Sequence, residues 1–245
     1  NQKIQTTFGL IGIIEGLTLC LYTNWGASDI TAKTSLLECI ALLCQCSVND
    51  TGNVKNIHQM HLANTTKAVI AAMQKHNTSC DIVSTGCRAI SGLSISLEGF
   101  EELVKERAAD VIVTSLRDLS SDNEVVINAL VSAGRMCQSE KAVARFADLK
   151  LVELIERILK SRLSSDIICI SCCRALVQFL SGSWTSTIAV QKQTMRKYEI
   201  FSLLIQAMRL HKTSDDLFCW ACEAIACLCD NNSENAFAFA SLGVG

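Results

Sequence analysis

The chain has 245 residues, 49% of them apolar, with a formal net charge of −2 and a pI near 6.1. This apolar content is enough for a sizeable core, and the near-neutral balance lacks the basic excess of a nucleic-acid-binding domain. Proline is absent and tyrosine occurs only twice, so the composition favours an all-helical chain and argues against nucleic acid as a partner.

The first apolar stretch, residues 8–22, contains Glu15 and is shorter than the roughly 20 apolar residues of a membrane-spanning helix. It lacks a clear basic segment, so we predict neither a membrane span nor a signal peptide. The chain starts at Asn1, which is not an initiator methionine, and ends at Gly245, inside a repeat. We therefore interpret the sequence as a fragment of a longer protein.

A block of seven residues recurs along the chain. It reads C-R-A-I-S-G-L at 87–93, C-R-A-L-V-Q-F at 173–179 and C-E-A-I-A-C-L at 222–228, with weaker copies at 37–43 and 130–136. A period of this size is typical of helical solenoids. The first residues of the blocks serve as anchors, with spacings of 50, 43, 43 and 49: Leu37, Cys87, Leu130, Cys173 and Cys222.

Each anchor lies in a predicted long helix, because nearly all positions −4, −1, 0, +3, +6 and +7 around it are apolar. A medium helix is predicted upstream, at 13–21, 70–76, 111–119, 151–159 and 205–211. Polar turns close four of these helices and supply N-caps for the long helices, at 77–79, 120–123, 164–166 and 213–216. A short helix is predicted at 8–12, 146–150 and 239–243.

The Phe-x-x-Leu-Gly turn at 239–243, its relative at 8–12 and the anchor block resemble the first turn and third helix of armadillo repeats. The motif Ala-Met-x-x-His at 72–76 and 207–211, followed by the anchor block, resembles the armadillo repeats of leucine-rich-repeat kinases and several protist proteins. The resemblance covers the whole chain and implies a right-handed α-solenoid of three-helix armadillo-type repeats, forming one array over residues 1–245. HEAT-like two-helix repeats are the alternative.

The turn glycine of this family is kept only at Gly12 and Gly243. The residues expected to replace it are Asn64, Asp110, Lys150 and Glu199; Asn and Asp tolerate left-handed backbone geometry, whereas Lys and Glu do so poorly.

The two long spacings predict inserted loops at residues 47–56 and 181–189. Such insertions either form part of a binding face or are loops whose sequence varies neutrally, without a function.

Eight of the fourteen cysteines fall on the apolar stripe of the long helices. We interpret them as free, buried thiols in a reducing compartment, and predict a cytoplasmic protein. They are Cys44, Cys87, Cys137, Cys169, Cys172, Cys173, Cys222 and Cys229.

The spacings Cys169-x-x-Cys172 and Cys219-x-x-Cys222 also suggest zinc thiolates, but no turn residue separates the paired cysteines, so we predict no metal site. His58 and His61 lack the glutamate of a zinc-protease helix, and His76 and His211 are interpreted as helix C-caps. No nucleotide-binding loop or nucleophile elbow occurs, so we predict no enzyme and no cofactor.

The armadillo resemblance places the third helices along a concave groove. The tryptophan and asparagine ladder of the nuclear-import receptors is absent, and arginines occupy equivalent positions instead. Arginine forks bind carboxylates and phosphates, and tryptophan is frequent in binding hot spots. We predict that an acidic or phosphorylated extended segment binds in this groove, to Arg88, Asn128, Arg135, Arg174, Gln178 and Trp220.

These expectations describe a non-catalytic scaffold for protein–protein interaction. The alternative is a regulatory or oligomerising armadillo module of a larger multidomain protein, such as a kinase or a small-GTPase effector. Residues 239–245 resemble the start of a further repeat, so we expect Phe239 and Leu242 to pack on the Cys222 helix. An exposed apolar end would remain and would allow end-to-end association.

Overall fold

The computed structural model describes residues 12–23, 29–44, 51–181 and 199–242. Within these ranges the secondary structure consists of α-helices joined by short turns, with no β-strand, which confirms the all-α prediction. The chain divides into two compact units, the first ending at Met136 and the second beginning at Cys137.

The first unit contains helices of different lengths in a recurring order. They are α1 (Ile13–Tyr22), α2 (Ile30–Cys44), α3 (Thr51–Leu62), α4 (Thr65–Lys75), α5 (Cys80–Leu93), α6 (Leu97–Lys105), α7 (Ala108–Asp118) and α8 (Asn123–Met136). The long helices pack side by side, α2 against α5 and α5 against α8. The shorter helices flank them, with α4 against α5 and α7 against α8.

The second unit repeats this arrangement. Its helices are α9 (Glu140–Asp148), α10 (Leu151–Arg162), α11 (Asp166–Leu180), α12 (Ile200–Leu210), α13 (Asp215–Cys229) and α14 (Ser233–Ala240). The long helices α11 and α13 pack on each other, and α10 packs on α11 as α12 does on α13. Phe146 of α9 and Phe179 of α11 are fully buried in the core.

The five anchors lie in the long helices α2, α5, α8, α11 and α13, and the five medium helices occur where they are predicted. Three of the four polar turns cap the next helix, because the side chains of Ser79, Asp122 and Ser165 accept backbone hydrogen bonds. Ser214 makes no such bond. The short helices α9 and α14 begin earlier than predicted, since the Phe-x-x-Leu motif forms their ends and the following turns.

Left-handed residues precede four of the medium helices. Gly12 has φ 71°, Asn64 has φ 58°, and Arg107 and Lys150 each have φ 59°. The prediction of Asp110 at this turn is wrong: Asp110 lies inside α7, where its carboxylate accepts a 2.8 Å bond from the Arg107 guanidinium. Glu199 does occupy the expected position directly before α12, but its φ of −75° lies outside the left-handed region.

The predicted loop at 47–56 is partly helical. Helix α3 begins at Thr51, and its Ile57 and Met60 side chains are fully buried. Burial of these two side chains outweighs the loop-like composition of residues 51–56. Residues 47–50, and 182–189 of the other predicted insertion, lie outside the described residues.

Candidate functional site

The polar side chains predicted to line a groove in the first unit are held by bonds between long helices. Arg88 of α5 forms a 2.6 Å ion pair with Glu38 of α2, and both side chains are 36% exposed. Asn128 of α8 donates a 2.8 Å bond to Ser84 Oγ of α5. These two contacts link three neighbouring long helices along one edge.

Further along α8, Ser132 Oγ donates to the carbonyl of Cys87 at 2.6 Å. The Arg135 guanidinium donates to the Ser91 carbonyl at 3.0 Å. The face of α5 that carries Cys87 and Ser91 is therefore turned towards α8. Arg88, Asn128 and Arg135 are thus engaged within the unit, which sequence reasoning had not predicted.

In the second unit, Arg174 of α11 and Trp220 of α13 contact each other, which the sequence analysis did not predict. The Arg174 guanidinium lies 5.1 Å from the centre of the Trp220 ring, a cation–π geometry. Arg174 is exposed, as is Gln178 one turn further along the same helix. Among the described residues, no carboxylate lies within ion-pair distance of Arg174. Its guanidinium edge therefore remains able to bind an anion.

Two histidine–glutamate pairs join α3 to α6. His58 Nδ1 lies 2.7 Å from Glu98 Oε2, and His61 Nδ1 makes a short contact with the buried Glu102 carboxylate. The bond to His58 holds the pKa of the Glu98 carboxyl below its ordinary value. The two histidines are three residues apart and the two glutamates four residues apart, so each pair lies on one face of its helix. Two such faces of opposite chemical character are the sequence signal that could have revealed the pairs.

The two histidines interpreted as C-caps do end α4 and α12, and their side chains reach other helices. His211 Nε2 donates to the Leu163 carbonyl at 2.7 Å. The ammonium of Lys33 donates to His76 Nε2 at 3.0 Å. The pKa of Lys33 is lowered mainly by burial and further by the positive charge of Lys75. The pKa of His76 is also lowered mainly by burial, and further by the positive charges of Lys33 and Lys75. Lys33 therefore needs a neutral imidazole beside it.

We expect the first unit to lose stability as the pH falls below about 6.5. The pKa of His76 is lower in the folded protein than in the unfolded chain, so protonation of His76 favours unfolding. The loss of stability begins as the pH falls below about 6.5 and grows until the pH has passed the folded pKa of His76. Urea unfolding at pH 7.5 and 5.0 measures this. His76→Gln should reduce the difference between the two pH values, because the amide oxygen accepts from Lys33 at both. His211→Gln is the control, and an unchanged difference in His76→Gln would contradict the expectation.

The burial predicted for the eight stripe thiols is confirmed for six and wrong for Cys222, which is exposed; Cys229 is only partly buried. Burial raises the pKa of Cys87 and Cys173 to about 12 and that of Cys169 to about 11. The buried thiols therefore stay protonated and unreactive. None of the thirteen cysteines in the described ranges forms a disulfide, and no cluster of three or more potential ligands there is placed to hold a metal ion.

A small pocket lies between α4 and α7. Its volume is about 170 Å³, and Gln74, Asn77, Asp110 and Asp118 are among the residues that line it. This is below the roughly 300–1,000 Å³ of typical ligand pockets. Asp110, moreover, is already paired with Arg107.

The apolar C-terminal end differs in detail from the prediction. Phe239 packs against Phe201 of α12, with ring centres 5.8 Å apart, while Leu242 is 43% exposed. None of the helices in the described ranges has both the length and the apolar character needed to cross a bilayer.

Comparison with protein-family models, with curated proteins and with solved structures yields no match for the chain.

Proposed function

We propose that this protein is an armadillo-type α-solenoid that serves as a non-catalytic scaffold for protein–protein interaction. Among the described residues, five long helices of 14–15 residues each follow a helix of 10–12 residues, and this recurring pair supports the architecture. So does the spacing of the left-handed residues Asn64, Arg107 and Lys150, which follow one another at intervals of 43 residues. We place the protein in the cytoplasm, in keeping with its buried, unreactive thiols.

The observation that carries the binding proposal is the Arg174–Trp220 pair of the second unit. Stacking on the indole fixes the guanidinium plane, and a fixed fork loses less conformational entropy when it binds a carboxylate or phosphate. The exposed amide of Gln178 lies one helical turn away, suited to a backbone contact with the same ligand. The ligand is therefore an extended segment that presents an acidic or phosphorylated side chain to Arg174.

Arg88 of the first unit is a further position in this proposal that can bind a carboxylate. Its partner Glu38 shows that this position accepts a carboxylate at 2.6 Å, and both groups are still partly exposed. A ligand carboxylate or phosphate therefore competes with Glu38 for Arg88. Asn128 and Arg135 keep the neighbouring long helices in register through their bonds to Ser84 and Ser91.

Fluorescence anisotropy with labelled extended peptides tests the proposal. Three peptides of one length carry glutamate, phosphoserine or glutamine at alternate positions. We expect the first two to bind more tightly than the third, and Arg174→Glu to weaken their binding at least tenfold, since a charge-assisted bond contributes about 1.5–3 kcal/mol. Arg157→Glu makes the same charge change on an exposed position of α10 and should have little effect.

Added salt should weaken binding of the charged peptides, because exposed charges are screened beyond about 8 Å at physiological ionic strength. Equal binding of all three peptides, or full affinity in Arg174→Glu, would show that this surface is not the binding site.

A further inference from the structure

Neighbouring long helices carry opposite charges at equivalent positions in both units. In the first unit, the residue directly after the anchor is Glu38 in α2 and Arg88 in α5, and the two side chains form a 2.6 Å ion pair. In the second unit, the residue directly after the anchor is Arg174 in α11 and Glu223 in α13. The two charges are thus exchanged between the helices, while their positions relative to the anchors are the same.

The equivalent ion pair is not formed in the second unit. The Arg174 guanidinium stacks on the Trp220 ring instead, and Glu223 is exposed and makes no ion pair with the residues that the structure describes. The two glutamate-bearing helices differ three residues before the glutamate, where α13 has Trp220 and α2 has Ser35. Serine has no aromatic face. In the first unit the arginine therefore pairs with Glu38, whereas in the second unit the indole competes with the carboxylate.

One arginine side chain can reach both groups on α13. Trp220 and Glu223 are three residues apart in this helix, so they lie on one face, about 4.5 Å apart along the axis. Helix α11 packs on α13 and already places the Arg174 guanidinium 5.1 Å from the centre of the Trp220 ring. A rotation of the Arg174 side chain then exchanges the indole for the carboxylate, and this exchange involves only α11 and α13.

We propose that Glu223 is an internal competitor for Arg174. While Arg174 stacks on Trp220, the edge of its guanidinium is open to a carboxylate or phosphate of the ligand. While Arg174 pairs with Glu223, the same donors are occupied, so the apparent affinity falls with the fraction of molecules in that state. Trp220 has the opposite effect, because the cation–π contact holds Arg174 away from Glu223. Since Arg174 is the arginine of the proposed binding site, this role of Glu223 rests on the proposed function.

The glutamate and phosphoserine peptides of the anisotropy assay test this role. Exposed ion pairs are weak, so Glu223→Gln should strengthen binding of both peptides about threefold. The factor should be the same for both, because the competition changes only the fraction of available arginine. Repulsion of the ligand by Glu223 would instead strengthen the more highly charged phosphoserine peptide more. Asp216→Asn is the control: it removes an exposed negative charge two turns away on α13 and should change neither affinity appreciably.

Removal of the indole should enlarge the effect of Glu223. Trp220→Ala should weaken binding of both peptides, because Arg174 then pairs with Glu223 more often. In this background Glu223→Gln should strengthen binding about tenfold, since the cation–π contact no longer opposes the ion pair. Equal factors in the two backgrounds would show that Glu223 acts only as a distant charge, and the proposal would fail. If Trp220→Ala does not fold by circular dichroism, the comparison of the two peptides in Glu223→Gln alone decides.

A measurement on the free protein separates this role of Glu223 from the proposed function. The ring current of Trp220 shifts the NMR signals of the Arg174 δ protons while the guanidinium is stacked. Arginine labelled with ¹³C makes these signals visible, and Arg174→Lys identifies them. Glu223→Gln should increase the shift, because the paired state is removed, and an unchanged shift overturns the proposal.

The two assays together give distinct results for the two proposals. If the shift increases but none of the peptides binds, the proposed function fails and the exchange of Arg174 between Trp220 and Glu223 stands. If the peptides bind in a manner that requires Arg174, but Glu223→Gln leaves both affinities unchanged, the proposed function stands and Glu223 is not a competitor.

Discussion

Replacing Phe179 by alanine should lower the free energy of unfolding of the second unit by about 3–5 kcal/mol, the usual cost of removing a buried aromatic ring. Phe179 is fully buried in α11, and its ring is one of the largest wholly enclosed side chains in the described core. The substitution removes the free energy gained by transferring the ring from water into the core. It also leaves part of a cavity, because the rigid helix backbones cannot close fully around the smaller alanine side chain.

Urea unfolding followed by circular dichroism measures this loss. Gln178→Ala is the control: this neighbour is exposed on the same helix, and its truncation should change the free energy by less than about 0.5 kcal/mol. A cost below about 1 kcal/mol for Phe179→Ala would mean that the ring is not packed as described.

Gly92→Leu should destabilise the first unit by about 3 kcal/mol, at the upper end of the cost of overpacking a core. A Cβ atom at Gly92 of α5 would overlap the Cβ of Cys44, so α2 and α5 are in close contact at this position, where α5 has no side chain. The added side chain forces these long helices apart and disturbs neighbouring contacts, including the Arg88–Glu38 ion pair.

Gly16→Leu makes the same change in α1, where no neighbouring atom lies within 4 Å of the position that a Cβ would take. There the higher helix propensity of leucine should stabilise the protein by up to about 1 kcal/mol. The two glycines should therefore give opposite signs in the same urea experiment. A stabilising Gly92→Leu would refute the close approach of α2 and α5.

The helices could be predicted from the sequence because their signals are local. The apolar positions around Cys87 and Cys173 repeat with the helical period, and serines at 79 and 165 mark where the helices begin. The exposure of Cys222 could not be predicted in this way. Its local sequence matches that of the buried Cys173, and only the absence of a covering helix from the described residues distinguishes the two.

The residues of the candidate site were proposed from the sequence, but the contacts that each of them makes could not be predicted. The sequence places arginines at 88 and 174 in equivalent positions, yet Arg88 is paired with a carboxylate whereas Arg174 stacks on an indole ring. The difference arises from partners 50 residues before Arg88 and 46 residues after Arg174. Such contacts depend on how successive repeats pack, and no short window of sequence contains both partners.

The left-handed turns at Asn64, Arg107 and Lys150 have a consequence for folding. An L-residue in this conformation costs about 1–2 kcal/mol, somewhat less for asparagine, so Arg107 and Lys150 do not favour these turns by themselves. The flanking helices must already be docked to hold the turn. A single repeat excised as a peptide should therefore sample other turn conformations, and each repeat acquires its native geometry together with its neighbours. Cooperativity between repeats is thus built into the backbone as well as into the core.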